Sequence, residues 1–424
     1  MAASHRAGRP TTAARAAPRR ALRASRATLA AVAALGLVAC GGEDPGTSPA
    51  PTGEVPASTA SAPATPPAPT TSGAPTSDGT TPATPTPTGP SAAGTPVGPA
   101  EVVAEGLPLP WSVVALPDGS SLMSLRDEAR VVRLTADGDV VDVPTTSPDG
   151  TFGGALPRGE GGLLGLALSP SFAEDGLVYA YVTRADDNAV VRAVLSGDGL
   201  GEPEVVLEGV PRAQVHNGGR LAFGPDGMLY VTTGDARQPE LSQDPTSLAG
   251  KVLRVTPDGE PAPGNPEEGS PVWTLGHRNV QGLGWDAQDR LYASEFGQDL
   301  WDELNLLEPG RNYGWPEVEG PGGQEAADAG FTDPLVWWRP SEASPSGLAV
   351  TDDAVWVSAL RGQRLWRVPV ATSPEGGPVG QPEPYLVGEH GRLRDVAVAP
   401  GGGALRVLTN DGDGEDQLLR LPLG

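Results

Sequence analysis

The stretch GRLAFGPDGMLYVTTGD, Gly219–Asp235, reads as a short apolar strand, a turn on Pro225-Asp226-Gly227 and a second apolar strand. Asp-Gly tolerates positive φ and favours tight hairpins, so the stretch predicts two antiparallel strands. The same design recurs in WSVVALPDGSSLMSL from Trp111, LLGLALSPSFAEDGLVYAYVT from Leu163 and GLGWDAQDRLYASEFG from Gly282. It recurs again in PSGLAVTDDAVWVSAL from Pro345 and LRDVAVAPGGGALRVLTN from Leu393. Third strands follow some of these hairpins, as in ARVVRLTADG at Ala129–Gly138 and GKVLRVTPDG at Gly250–Gly259. Six such copies, spaced about 50 to 65 residues apart, predict an all-β fold: a six-bladed β-propeller of antiparallel sheets. A sandwich of about seven to nine strands would not show six similar hairpins. No long stretch has amphipathic helical spacing. Propellers place ligands over the central channel, so polar motifs far apart in sequence are expected to converge there.

Three polar motifs stand out: VHNGGR at Val215–Arg220, GHRN at Gly276–Asn279 and GRLRD at Gly391–Asp395. They hold two of the four histidines and four arginines in a chain of formal net charge −24. A strongly acidic chain that clusters guanidinium groups points to an anionic ligand. The acidity also argues against a nucleic-acid partner.

The first residues read as a targeting segment rather than fold. Seven arginines (Arg6, Arg9, Arg15, Arg19, Arg20, Arg23 and Arg26) precede an apolar run, Ala27–Ala39, that is short for a membrane span. Without those seven positive charges the formal charge falls from −24 to −31. Leu37-Val38-Ala39-Cys40 resembles the bacterial lipobox, which implies lipidation of Cys40 and an anchor at the extracytoplasmic face of the cell membrane. Arg19-Arg20 lacks the context of a twin-arginine export signal. Cys40 is the one cysteine, so no disulfide or thiolate metal site remains. From Gly41 to about Ala100 the chain is Pro, Thr, Ser, Ala and Gly, a composition expected of a disordered tether. The expected organisation is therefore a signal peptide over 1–39, a tether over 40–100 and one propeller domain over 101–424.

The chain resembles the soluble PQQ-dependent sugar dehydrogenases, the family of soluble glucose dehydrogenase and the bacterial aldose sugar dehydrogenases. The resemblance covers about Leu107–Leu423. It rests on GEGGLLGLALSPSF, VHNGGRLAFGPDGMLYVTTGD, GKVLRV, VWTLGHRNVQGL, SEFGQDLWDELNLLEPGRNYGWP, PSGLAV and GRLRDV. It implies oxidation of an aldose at its anomeric hydroxyl to a lactone, with hydride passing to the quinone and electrons leaving to a respiratory acceptor. His216, beside Asn217 and two glycines, reads as an exposed loop residue, and imidazole suits proton abstraction. In the family it corresponds to the catalytic base. Asp235 is implied as its orienting partner and as a residue near the substrate. Arg278 corresponds to the arginine beside the reactive quinone carbonyl, where it would stabilise developing charge. Asn279 accompanies it in cofactor binding, and His277 is expected to support the loop. Arg392 and Arg394 correspond to the pair that holds PQQ, a planar quinone whose three carboxylates suit guanidinium forks. Arg361 stands where the family carries a lysine that also contacts PQQ, and as arginine it still supplies positive charge; His390 is expected to be a loop residue.

The resemblance also implies calcium. Gly297 and Gln298 would offer backbone carbonyls to an ion at the quinone, Gln298 replacing the proline of the glucose enzyme. Glu303, the Tyr313 carbonyl and Asp302 would serve a second ion. The cluster Asp299, Asp302, Glu303 and Glu308 is equally compatible with a solvated acidic face. NDGDGED, residues 410–416, reads as a turn. Glu160 stands where soluble glucose dehydrogenase has a glutamine near the substrate, which bears on sugar preference. Trp301, Trp315, Trp337 and Trp338 lie on or near loops and are candidates to pack or to stack on a sugar. Two other functions fit a propeller: a calcium-dependent lactone hydrolase, with a mostly carboxylate metal shell, and a cell-surface binding protein without activity.

Overall fold

The computed structural model describes residues 94–424 except 198 and 371–378. Cys40, the apolar run and most of the expected tether lie outside the described residues. Six antiparallel sheets form the six-bladed propeller. The innermost strands are Pro110–Ala115, Leu163–Leu168, Leu221–Phe223, Val280–Trp285, Pro345–Val350 and Leu393–Val398. Each contacts the next, and the last contacts the first, which closes the ring.

The hairpin turns behave as their sequences require. In the third blade Gly224 N–H donates to the Met228 carbonyl at 2.9 Å, with Gly227 at φ +74°. The pattern repeats between Leu116 and Ser120 and between Asp286 and Arg290, where the non-glycine Asp289 takes φ +59°.

Packing departs from simple in–out alternation. Ser121–Leu125 and Lys251–Val255 are buried at every residue. The reason is architectural: each blade is covered on both faces, and six apolar clusters fill the six interfaces between neighbouring blades. Burial of apolar area there is the main stabilising term, at roughly 25 cal/mol per Å².

Closure is supplied by the N-terminal strand. Glu101–Leu107 pairs with Asp416–Pro422 as the outermost strand of the sixth blade. Val97 N–H also donates to the Pro422 carbonyl at 3.1 Å, and Pro96 bridges Leu423. The folded domain therefore begins by Gly94 rather than at residue 101, because the last residues of the expected tether satisfy the C-terminal backbone.

A buried ion pair crosses the channel. Arg220, at the entry to the third blade's inner strand, faces Asp395 on the sixth, with Nη1–Oδ2 and Nη2–Oδ1 both at 3.0 Å. Arg220 also donates to the Gln281 carbonyl at 2.9 Å and to Ser112 Oγ at 3.2 Å, and its guanidinium lies 4.5 Å from the Trp111 ring centre. Asp395 Oδ2 accepts the Val113 N–H at 2.8 Å. Four blades thus meet on one pair. Breaking a buried pair by removing one partner costs about 3–5 kcal/mol. Arg220→Met is expected to lower unfolding stability by about that amount, read as a shift in the urea midpoint; an unchanged midpoint would refute this role.

Candidate active site

The loops at one mouth of the channel enclose a cavity of about 560 Å³. Arg126, Glu160, His216, Arg278, Asn279, Gln281, Phe296, Gly297, Arg361, Arg392, Arg394, Asn410 and Asp411 line it, among others. Five of these are arginines and two are carboxylates, so the lining is cationic although the chain is acidic.

Backbone hydrogen bonds explain why distant motifs meet here. Asp235 N–H donates to the Arg278 carbonyl at 2.8 Å, and Gly218 N–H donates to Asn279 Oδ1 at 3.0 Å. Ala236 N–H reaches the His216 carbonyl at 3.2 Å. VHNGG, TTGD and GHRN are therefore one hydrogen-bonded unit. Gly234 is required at its centre, since a Cβ there would sit 2.0 Å from the His216 carbonyl oxygen.

His216 adopts φ +61°, a left-handed conformation that costs roughly 1–2 kcal/mol for a non-glycine residue. Its neighbours fix it there. Asn217 is buried and exchanges hydrogen bonds with Ala213 N–H and carbonyl at 3.1 and 3.0 Å. Glu160 Oε2 accepts the His216 N–H at 3.1 Å. The His216 Nδ1 lies 2.8 Å from Asp235 Oδ1, and Asp235 Oδ2 accepts the Trp315 indole N–H at 3.0 Å. Burial alone would raise the Asp235 carboxyl, but His216, the Arg237 N–H and Trp315 outweigh it and hold it below the usual carboxylate range. Asp235 therefore sits behind the imidazole and does not line the cavity, while the other ring nitrogen, Nε2, is left for the cavity.

The guanidinium groups are held by their edges. Arg394 is buried, with Nη1 donating to Gln281 Oε1 at 2.9 Å and Nη2 to Asn410 Oδ1 at 3.1 Å. Burial, with Arg126 and Arg392 nearby, pushes it down to about 9, so it still carries its charge at neutral pH. Arg392 Nε donates to the Asn410 carbonyl at 3.2 Å. Arg278 Nη1 donates to the Phe296 carbonyl at 3.3 Å, and its guanidinium lies 5.5 Å from the Trp315 ring centre. Burial pushes Arg278 down, against the pull of Asp235 and Glu295. Nε of Arg278 and Nε of Arg394 are buried without a hydrogen-bond partner in the protein. Buried donors without partners are costly, which suits a site completed by an anion. Arg361 stands exposed at the rim.

The residues expected to bind calcium divide. Gly297 lines the cavity, whereas Gln298 is exposed beside it. Asp302 accepts Gly297 N–H on Oδ1 at 2.9 Å and Ser344 N–H on Oδ2 at 2.7 Å, and burial raises it to about 6. Glu303 accepts Gly320 N–H at 2.7 Å and the Asn305 amide at 3.0 Å; burial, then Glu295, raises its carboxyl. Glu295, Glu303, Glu319 and Tyr313 border a separate hollow of about 10 Å³ behind Arg278. Among the described residues no three acidic or histidine side chains are arranged as a metal site. Asp299 and Glu308 lie outside the cavity, and Glu308 pairs with Arg311 at 3.0 Å.

His277 is fully buried, bonded to Glu295 at 2.8 Å and Thr274 at 2.9 Å, and supports the loop as expected. Trp301, Trp315, Trp337 and Trp338 do not line the cavity; Trp111 does. Sequence reading missed Gln281, Arg126, Asn410 and Asp411. Gln281 carried a signal, since it alternates with Asn279 along an extended segment and so faces the same side. Asn410 and Asp411 open the run read only as a turn, and they follow a strand that ends at the cavity.

The family model described as glucose/sorbosone dehydrogenase matches residues 107–420. The chain is 30% identical to the aldose sugar dehydrogenase YliI of Escherichia coli, over 74% of this chain and 91% of that protein. It is 33% identical to an uncharacterized protein of Synechocystis, over 75% and 85%. Among solved structures, the PQQ-bound aldose sugar dehydrogenase of Streptomyces coelicolor superposes with a TM-score of 0.72 at 49% identity, covering 78% of this chain and all of that one.

The depressed Asp235 carboxyl stabilises the fold above the ordinary carboxylate value of 3.8, and that contribution is lost as pH falls through its lower folded value. Asp235→Asn is therefore expected to be less stable than the wild type at neutral pH, with the gap closing below about pH 4. Denaturant midpoints measured across pH test this; a gap that stays constant into acid would contradict it.

Proposed function

The chain belongs to the glucose/sorbosone dehydrogenase family, and from that premise we propose that it is a PQQ-dependent enzyme oxidising the anomeric hydroxyl of an aldose to the lactone. It is an oxidoreductase. The observation that carries the finer reading is a cavity lined by five arginines whose wall also holds a histidine fixed by a buried carboxylate. These residues fit PQQ. Arg392, Arg394 and Arg361 would take its carboxylates, and Arg278 with Asn279 would lie along its edge.

When bound, PQQ would supply an electrophilic carbonyl as the acceptor for hydride from the anomeric carbon. His216 accepts the hydroxyl proton at Nε2, and Asp235 fixes the ring through Nδ1 and stabilises the imidazolium that forms. Arg278, half-desolvated above Trp315, stabilises negative charge at low reorganisation cost. Glu160 keeps the His216 backbone in its left-handed turn and presents a carboxylate at the cavity wall, where it bears on which sugar is accepted. A lactone hydrolase would need a mostly carboxylate metal shell, which this lining lacks.

The Asp302 and Glu303 carboxylates are committed to backbone and amide donors. Main-chain oxygens at Gly297, which lines the cavity, and Gln298 beside it would hold a calcium ion next to the cofactor, and that ion would supply Lewis-acid polarisation. Electrons would leave to a respiratory acceptor, and lipid on Cys40 would hold the enzyme at the extracytoplasmic face of the membrane. The anchor rests on the sequence alone.

Dye-linked oxidation of an aldose panel, with PQQ and calcium added together and separately, tests the reading. Turnover is expected to require PQQ, to rise with calcium and to fall about 10²–10⁴-fold in His216→Ala. In cells the activity should sediment with membranes and become soluble in Cys40→Ser. PQQ-independent turnover, or none with any aldose, would overturn it.

A further inference from the structure

One carboxylate oxygen holds the loop that follows Gly297. The N–H groups of Gln298, Asp299, Leu300 and Trp301 donate to Glu319 Oε1 at 2.6, 2.8, 2.9 and 3.3 Å. Consecutive amides converging on one point form an anion-binding concavity, and hydrogen bonds to an ionised acceptor are about twice as strong as neutral ones. Glu319 is a side chain that neither the sequence motifs nor the mechanism above uses.

The surroundings aim it. Gly320 N–H donates to Glu303 Oε1 at 2.7 Å, and Gly320 packs so closely on Trp301 that a Cβ would lie 2.3 Å from the indole. At the other end, a Cβ on Gly297 would lie 1.7 Å from the Trp301 carbonyl oxygen and 2.7 Å from Glu319 Oε1. Asp302 ties the same loop to the fifth blade through Gly297 N–H and Ser344 N–H. The loop is thus closed on itself around a single charge.

The residues that lead into the loop are cavity wall. Phe296 and Gly297 line the cavity, Phe296 N–H donates to the Asn279 carbonyl at 3.2 Å, and the Phe296 carbonyl accepts from Arg278 at 3.3 Å. Releasing residues 298–301 would free the wall against which Arg278 is set. We infer that Glu319 is a positioning residue for the quinone site, holding the Gly297–Trp301 loop, and through it the Phe296–Gly297 wall, in binding shape before the cofactor arrives. A preformed wall removes an ordering cost from binding. The inference rests on the PQQ reading.

The test uses the full protein free of cofactor. PQQ affinity is read from tryptophan fluorescence, kcat at saturating PQQ from dye-linked turnover, and amide hydrogen exchange from residues 298–301. Glu319→Ala is expected to speed exchange at those four amides and to raise Kd roughly tenfold, about 1.4 kcal/mol. Its kcat at saturating PQQ is expected to fall by a smaller factor than its affinity, because bound quinone re-forms the wall against which Arg278 is set and His216 and Asp235 are untouched. Glu319→Gln keeps an oxygen acceptor without the charge and should fall between. Wild-type Kd in both variants, with tight binding by the wild type, would overturn this inference alone. If Glu319→Ala exchanges faster in all six blades, Glu319→Gln decides: a raised Kd with local exchange supports the inference, and an unchanged Kd overturns it. Failure of the wild type to bind PQQ would overturn the parent reading and this one with it.

Discussion

The Arg220–Asp395 pair at the channel floor is the constraint on which the site depends. It joins residues 175 positions apart and draws in Ser112, Val113, Trp111 and the Gln281 carbonyl, so four blades share one pair. A buried ion pair contributes little net stability once its desolvation is counted, and its value lies in fixing one arrangement. Here it fixes how the inner strands face the channel. Asp395 turns to Arg220, and its neighbour Arg394 turns to Gln281 and Asn410 at the cavity side. The strand's register shifts between Leu393 and Asp395, which lets adjacent residues serve the floor and the cavity.

The pairing also decides the electrostatics above it. Arg220 takes up the Asp395 carboxylate, and the cavity lining is left with Arg126, Arg278, Arg361, Arg392 and Arg394 against Glu160 and Asp411. Crowding of like charge is unfavourable, and Arg126 and Arg392 add to the burial that lowers Arg394. Such crowding is sustained by neutral acceptors, Gln281, Asn410 and the Phe296 carbonyl, which orient the guanidinium groups without cancelling their charge. On the opposite wall a strained His216 backbone and a buried Asp235 give one histidine a fixed ring orientation. A binding surface for a polyanion and a proton acceptor are thereby built into the same rigid loops.

The hairpins were legible because their information is local. Leu221–Phe223, the Asp226-Gly227 turn and Leu229–Thr232 lie where the period and turn residues put them. His216, Asp235, Arg278, Asn279, Arg392 and Arg394 were legible because short motifs carried them. What was not legible depends on partners far away in sequence. Arg220 reads as a member of the ligand cluster, yet it belongs to the floor, and nothing in VHNGGR names Asp395. Glu319 looks like any acidic surface residue until the four amides of residues 298–301 are seen around it. Asp302 and Glu303 look like cation ligands by type, but backbone N–H groups and the Asn305 amide already occupy them. The closing strand Glu101–Leu107 was hidden because its partner is at the other end of the chain.

The most direct test of the account is a crystal structure of the protein grown with PQQ. The account predicts the quinone within the cavity bounded by His216, Arg278, Arg392 and Arg394, its carboxylates paired with the arginines and its reactive edge toward His216 and Arg278. A cavity still empty at saturating PQQ, or the quinone bound elsewhere on the propeller, would contradict it.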